Sequence, residues 1–510
     1  MEPGNEASRY RNPIIDADVP DPDAIRVGDR FYLVASSFHR APGLPLFASE
    51  DLVSWERIGY ALEGSVPASW FAVPRHGGGV WAPSIRHHDG RFIVVYPDPD
   101  QGIFVVTAED PAGPWTEPHL LLPGLGLIDP CPLWDDDGLT YLVHGWAHSR
   151  SGRKNVLTVV PVDAALQSPV GPAVDVVDGG RLAGFTTLEG PKFYKRDGTY
   201  WIFAPAGGVA TGWQTVFRAD NPYGPYEHRI VLAQGDTPVN GPHQGAWVDD
   251  GEGGNWFLHF QDRGVYGRVL HLQPMAWGDD GWPVVGEAVH GGAPQPVLEY
   301  AMPRGGTRVA HPGTRTLARS DDFATGRPGP DWQWEAVPDR DAVVGTGPGL
   351  ALRGSPDGGN IRAMPRVLSQ PLPGQPCVAE VAVEIDVGAP AARAGLAVLG
   401  DAYAWAGVRR IGERAEAVVA VRYPGDLAER IIARAPLSEP RARVRVEVDA
   451  HARVGFAFAA QETTVDIDPG FEAVEGRWVG ASVSLFAAGA YGAVQTVARF
   501  TGFSVDVRDH

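Results

Sequence analysis

Cysteine is almost missing from this chain: Cys131 and Cys377 are the only two in 510 residues. They fall in segments read below as separate domains, so no disulfide framework is expected and a packed core must hold the fold. Cys131 follows Asp129-Pro130 and suits core filling better than nucleophilic chemistry. Positive charge is in deficit too, with 43 Lys and Arg against 62 Asp and Glu and a formal net charge of −19. So acidic a chain is a poor partner for nucleic acid or an anionic membrane. No run is long and apolar enough to span a bilayer; the nearest, Trp478 to Val494, carries Ser and Gly that suit sandwich strands. Met1 to Pro13 lack the apolar core of a secretory signal, and the expectation is a cytoplasmic protein acting on a small imported substrate. Also missing are a Gly-rich phosphate loop, a His-Glu-x-x-His zinc motif and a nucleophile elbow. Helical periodicity is weak throughout, and only Leu427 to Ala433 leaves a helical turn and a strand both open.

What the chain has is Gly and Pro, 64 and 46 of them without a collagen-like period, as in a turn-rich β protein. One pattern recurs five times. In the stretch Phe185 to Phe203, Glu189 precedes Gly190-Pro191, an apolar run follows, and Arg196-Asp197-Gly198 turns the chain into a second apolar run. Two such runs joined through Asp-Gly are a hairpin signal. Asp21-Pro22 leads likewise to Phe31–Val34, Trp81-Ala82-Pro83 to Phe92–Val95, Asp129-Pro130 to Tyr141–Val143, and His243-Gln244-Gly245 to Trp256–Leu258. The copies start about 50 to 60 residues apart, the length of one four-stranded blade with its loops. This predicts a five-bladed β-propeller over residues 1–302. A second element recurs between the copies: Asp110 to Trp115 matches Asn221 to Tyr226, with Asp51 to Trp55 a looser version. Each reads as a turn closed by an aromatic near a blade's outer strand.

The innermost strand of every blade begins or ends beside the central channel. Asp21, Trp81, Asp129, Glu189 and His243 lie at matching places in the repeat and are expected at one rim, and three of them are carboxylates. After a Gly-, Arg- and Pro-containing linker at 303–319, short apolar or alternating runs recur at Val378–Val387, Leu396–Leu399, Ala417–Val421, Val444–Val448 and Ser482–Phe486. They predict a β-sandwich over residues 320–510. Phe38 and Trp81 read equally well as core aromatics or as a stacking platform for a bound ligand, while Trp213, after Gly207-Gly208, reads mainly as core. His243 is open between a hydrogen-bonded channel histidine and a metal contact. Arg268 fits an ion pair between blades or the recognition of paired hydroxyls.

These pieces together resemble glycoside hydrolase family 43, in its β-xylosidase/α-L-arabinofuranosidase branch. The resemblance is carried by Asn12–Gly28, Pro42–Trp55, Val80–Arg86, Ile128–Gly138, Leu188–Tyr194, Gly241–Trp247 and Tyr266–Met275. Ser320–Phe323, Trp332–Trp334 and Ser484–Phe486 extend it to that branch's concanavalin-A-like sandwich. It implies an inverting exo-glycosidase that releases terminal β-D-xylosyl or α-L-arabinofuranosyl residues from short oligosaccharides. Asp21 matches the general base, Glu189 the general acid and Asp129 the residue that tunes and positions the acid. Of the aspartates in the base segment, Asp16, Asp18, Asp21 and Asp23, the one inside Pro20-Asp21-Pro22 fits the family's motif. Arg268 matches an arginine that contacts sugar hydroxyls. His243 matches a histidine near a channel metal, often calcium; the chemistry itself requires no cofactor. A non-catalytic carbohydrate-binding propeller, or a relative acting on another terminal sugar, is the alternative, and a homo-oligomer is compatible with either. Inversion needs an acid on the leaving oxygen and a base on the opposite face. Glu189 is therefore expected to be kept protonated by burial and by a negative neighbour.

Overall fold

The computed structural model describes residues 8–303, 316–345, 347–386, 391–460, 463–489 and 496–508. Most of the expected linker, residues 304–315, and the first seven residues lie outside that set. The N-terminal half forms five four-stranded antiparallel sheets, each built in simple chain order. Sheet I begins with Asp23–Val27, sheet II with Ser84–His88, sheet III with Leu127–Trp134, sheet IV with Lys192–Arg196 and sheet V with His243–Asp249. The first hairpins close as their turn residues dictate. Asp197 and Gly198 take φ of +51° and +79°, and Asp89 and Gly90 take +48° and +73°. These are the left-handed pairs that a two-residue hairpin turn requires. The turns at Asp110–Trp115 and Asn221–Tyr226 also match, joining the third strand of their sheets to the fourth. Gly113 and Gly224 each donate a backbone hydrogen bond three residues back, at 2.9 Å.

The second strands are apolar on both faces because they have neighbours on both faces. In Thr199–Ala206, Ile202 and Ala204 join a cluster with Val143 and Leu157 of sheet III. Trp201 and Phe203 point the other way, to Phe257 and Trp282 of sheet V. Polar ties run from first strand to first strand. Ile85 N–H and Arg86 bond Asp23, Ser84 bonds the Pro130 carbonyl and Gly190 N–H bonds Asp129. Trp247 N–H then bonds the Tyr194 hydroxyl, and Arg26 bonds Asp249 to link sheet I with sheet V. The N-terminal segment completes the closure: Asn12 bonds the Leu272 and Val297 carbonyls, and Arg9–Arg11 pairs with Glu299–Ala301.

The C-terminal half is a sandwich of two largely antiparallel sheets over one large apolar cluster, with the short strand Ser355–Pro356 pairing in parallel with Ser482–Gly489. Cys377–Ile385 and Arg441–Val448 alternate buried and outward residues, the two-residue period of a strand with one face on a core. The expected runs fall on the strands Cys377–Ile385, Ala391–Leu399, Arg414–Arg422, Arg441–Val448 and Ser482–Gly489, except at the end of the first run, where the strand stops at Ile385 and Val387 lies outside the described residues. The open segment Leu427–Ala433 resolves as the approach to a strand, Arg430–Leu437. Among the described residues no helix is long and apolar enough to cross a membrane. Both cysteines are buried and free; Cys131 Sγ accepts from Arg86 at 2.7 Å and from Phe193 N–H at 3.1 Å.

The two halves are stitched together by backbone as well as side chains. Ala41 and Trp334 exchange hydrogen bonds at 2.6 and 3.0 Å, and Val337 N–H reaches the Phe71 carbonyl. Glu335 is buried between His39 at 2.9 Å and Arg40 at 3.1 Å. Gly480 N–H and Ala481 N–H reach back to Asp18 and the Val265 carbonyl.

Candidate active site

Four aspartates enter sheet I, and their partners divide the work among them. Asp16 pairs with Arg263 at 2.6 Å, and Asp18 accepts from Arg268 N–H and from Gly480 N–H of the sandwich. Asp23 is taken by Ile85 N–H and Arg86. Asp21 is different. Its Oδ1 accepts from Arg268 at 2.5 Å and its Oδ2 from the Ser36 hydroxyl at 2.6 Å, and its charge is felt by Asp129.

Asp129 lies at the start of sheet III, and its Oδ2 accepts from Gly190 N–H at 2.8 Å. A Cβ added at Gly145 would stand 3.5 Å from Asp129 Oδ2 and 3.7 Å from Glu189 Cα, so the two acidic residues approach across a glycine. Burial pushes the Asp129 carboxyl up to about 8, and the Glu189 charge and then the Asp21 charge add to the rise. Asp129 is 4% exposed, whereas the Glu189 side chain is 28% exposed. The more open carboxyl is thus the one placed to meet a ligand, with Asp129 behind it. The raised carboxyl is that of Asp129, the more buried of the two.

His243 is buried, with Nε2 3.4 Å from Glu189 Oε1. Its Nδ1 is buried without a hydrogen-bond partner among the described residues. That single nitrogen does not amount to a calcium cage, since calcium takes about 6–8 oxygen ligands. Among the described residues the one group with three metal-ligand atoms together is elsewhere, His39, His76 and Glu335. Arg40 bonds Glu335 there and His76 Nε2 lies 2.8 Å from the Arg362 carbonyl, so the group is an ion-paired contact between the two halves.

The sequence alignment of the repeat is off by one in two copies. Asp21, Asp129, Gly190 and Gln244 share a left-handed φ of +53°, +57°, +61° and +36°, so these are the equivalent positions. Glu189 and His243 each stand one residue earlier. A backbone dihedral has no one-letter signal, and Glu189-Gly190-Pro191 disguises the offset because proline follows the glycine rather than the acid. Gln244 itself carried no signal beyond its place beside His243. It is buried, its Nε2 lacks a partner among the described residues, and its side chain lies against Gly190.

Aromatic side chains lead outward from the Asp21–Arg268 pair. The Arg268 guanidinium sits 4.8 Å from the Phe260 ring and 6.0 Å from the Phe38 ring. Phe38 meets Trp81 edge-on at 6.4 Å, and Trp81 meets Trp478 of the sandwich edge-on at 6.1 Å. Phe38 is buried, Trp81 partly so, and Trp478 is 38% exposed. Trp213 stands apart from this line. It packs edge-on to Phe185 at 5.8 Å in the core between sheets III and IV, which favours its core reading. Trp478 and Ser36 had no place in the repeat, and the sequence does not single them out.

Residues 10–283 match the family model for glycosyl hydrolases family 43, and residues 320–506 match that for the β-xylosidase C-terminal concanavalin A-like domain. A protein of Xylanibacter ruminicola provisionally named a β-xylosidase is 43% identical over 330 residues, 64% of this chain and 59% of its own length. A β-xylosidase of Formosa agariphila is 31% identical over 356 residues, with the same coverages. A non-reducing end α-L-arabinofuranosidase of Bacteroides ovatus is 35% identical over 297 residues, 54% of each chain. The chain thus spans under two thirds of the length of these relatives. Among solved structures, the Bacteroides ovatus xyloglucan-locus GH43B superposes with a TM-score of 0.84 at 25% identity, over 98% of this chain and all of that one.

Proposed function

The chain belongs to glycosyl hydrolase family 43, and from that membership we propose that it is an inverting exo-glycosidase releasing terminal β-D-xylosyl or α-L-arabinofuranosyl residues from short oligosaccharides. The five sheets are read as five blades around a channel, residues 1–302 as the catalytic domain, 303–319 as a linker and 320–510 as an accessory sandwich. The observation that carries the reading is the meeting of Asp21, Asp129 and Glu189, brought from three sheets into one electrostatic neighbourhood.

In this mechanism Glu189 gives a proton to the leaving oxygen while Asp21 takes one from water on the opposite face, across a gap of about 6.5–9.5 Å. Arg268 and Ser36 hold the two Asp21 oxygens, fixing the base and leaving Arg268 at the sugar's edge. Asp129 retains a proton toward pH 8 beside Glu189. A proton held between interacting carboxyls belongs to the pair, so Asp129 both orients the Glu189 turn through Gly190 and keeps the acid supplied. Both proton transfers thereby fall to carboxyls of this chain. Phe38 and Trp81 would flank the terminal sugar, with Trp478 under the next unit.

The test is to follow the product anomer by NMR on nitrophenyl β-D-xyloside and α-L-arabinofuranoside, with Asp21→Ala and Glu189→Ala beside the parent. The expected result is an inverted product and losses of about 10²–10⁴ in each variant. Equal turnover by all three proteins would leave a sugar-binding protein, not an enzyme.

A further inference from the structure

We infer that Asn155, outside the segment that carries the acid, is a positioning residue that, with Asp129 on the far side of the turn, fixes where Glu189 stands. The inference rests on reading Glu189 as the general acid. Glu189 closes an irregular segment, residues 184–190, that contains three left-handed residues: Gly184 at φ +80°, Thr187 at +53° and Gly190 at +61°. For glycine this conformation is free of strain, but a β-branched residue there is an outlier that persists only where its surroundings enforce it.

Backbone bonds hold the segment's ends, Gly207 N–H to the Thr186 carbonyl at 2.6 Å and Glu189 N–H to the Pro205 carbonyl at 3.2 Å, and Asn155 supplies the side-chain part of the enforcement. Its side-chain carbonyl accepts from Leu188 N–H at 2.8 Å and its amide donates to the Phe185 carbonyl at 3.3 Å. The two bonds bracket Thr186 and Thr187 from both sides, and Leu188 N–H is one residue from the acid. Asn155 is itself fixed. It is buried, takes φ +63°, which asparagine tolerates, and its backbone carbonyl accepts from Gly179 N–H at 2.8 Å. A Cβ at Gly179 would stand 2.6 Å from the Asn155 Oδ1, so Gly179 is what lets the amide lie there.

Asn155 immediately precedes the third strand of sheet III, Val156–Val162. The sheet that supplies Asp129 thereby also sets the turn carrying Glu189, and the two carboxyls are registered against one support. An amide alone offers an acceptor and a donor in one plane. Aspartate keeps the bond to Leu188 but turns the other contact into an oxygen facing a carbonyl.

The experiment separates positioning from general damage by the leaving group. A dinitrophenolate departs with little help from an acid, whereas an unactivated sugar needs the proton in full. Full-length Asn155→Asp and Asn155→Gly are compared with Glu189→Ala and the parent, on a dinitrophenyl pentoside and on the matching pentose disaccharide, with Tm recorded for each. The glycine variant keeps the left-handed backbone without charge and supplies the reading if the carboxylate prevents folding. A misplacement of about 1 Å costs up to about 10²-fold, so a loss of about 10–100-fold in kcat/KM on the disaccharide is expected, with less than about threefold on the dinitrophenyl substrate. Equal losses on both substrates, or none, while Glu189→Ala keeps its selective defect, overturn the role of Asn155 alone. Equal losses in Glu189→Ala itself overturn the acid reading beneath it.

Discussion

Asp129 is the residue whose ordinary chemistry the fold changes most within the site. Burial, then the Glu189 charge, raise its carboxyl to about 8, while in the unfolded chain it titrates near about 4. Between those values the folded chain binds a proton that the unfolded chain does not. The stability from this group is therefore complete below the unfolded value and is lost as pH rises through about 8. Asp129→Asn removes the charge that must be buried and keeps an oxygen for Gly190 N–H. It is expected to raise Tm above pH 8, by about 1 °C for each kcal/mol relieved in a chain of this length, while lowering kcat. Identical Tm values for parent and variant at pH 9 would argue against a raised Asp129. Ser36→Ala tests the base from the other side. It removes one of two holds on Asp21 and should cut kcat several-fold, about 1 kcal/mol for one hydrogen bond, with KM nearly unchanged in steady-state assays. Of these residues Asp129 and Asp21 were legible in the sequence because proline follows each of them, whereas Ser36, Asn155 and Gln244 act through hydrogen bonds and backbone angles that a single residue type does not announce.

Elements were easier to read than their register. Asp-Gly and the paired apolar runs announced the first hairpin of sheet IV, and Asp110–Trp115 with Asn221–Tyr226 announced the turns to the outer strands, because turn chemistry is local. The one-residue offset of Glu189 and His243 was hidden because register depends on which residue goes left-handed. The segment of the sandwich at 475–481 was not legible at all, since its work lies wholly in tertiary contacts. Asp401 N–H donates to the Glu475 carbonyl, Gly480 N–H holds Asp18, and Trp478 meets Trp81. If Trp478 lies under the sugar beyond the cleaved bond, Trp478→Ala should raise KM for a disaccharide by about 3–10-fold, the worth of one ring contact, and leave KM for a methyl pentoside unchanged. Equal KM changes on both substrates, measured by product release, would place the ring outside the path of the second sugar.

At the scale of the whole molecule, the sandwich is bound to the segment that carries Asp21. Asp16 and Asp18 both precede Asp21 in one short stretch of chain. The Asp16 backbone carbonyl accepts from Gly374 N–H and the Asp18 carboxylate from Gly480 N–H, each at 2.9 Å, so the segment leading into Asp21 is tied to the C-terminal half. Glu335 is the buried charge at this contact. Burial alone would raise its carboxyl, but Arg40 and the hydrogen bond from His39 outweigh it and hold the group well below the usual range. A depressed carboxyl contributes stability above its unfolded pKa and loses it as pH falls through the folded one. The contact should therefore weaken in acid below about pH 4, not at neutral pH. Glu335→Gln leaves Arg40 buried without its anion, a change that typically costs about 3–5 kcal/mol. It should lower Tm at pH 7 and bring the variant and parent closer together as the pH falls below about 4. Truncation before Ser320 goes further, removing the partners of Ala41, Phe71, Asp18 and Val265 in one step. The shortened chain is expected to lose both its cooperative unfolding transition by calorimetry and its turnover. A truncated chain with parental kcat would mean that the sheets hold Asp21 in place without the sandwich.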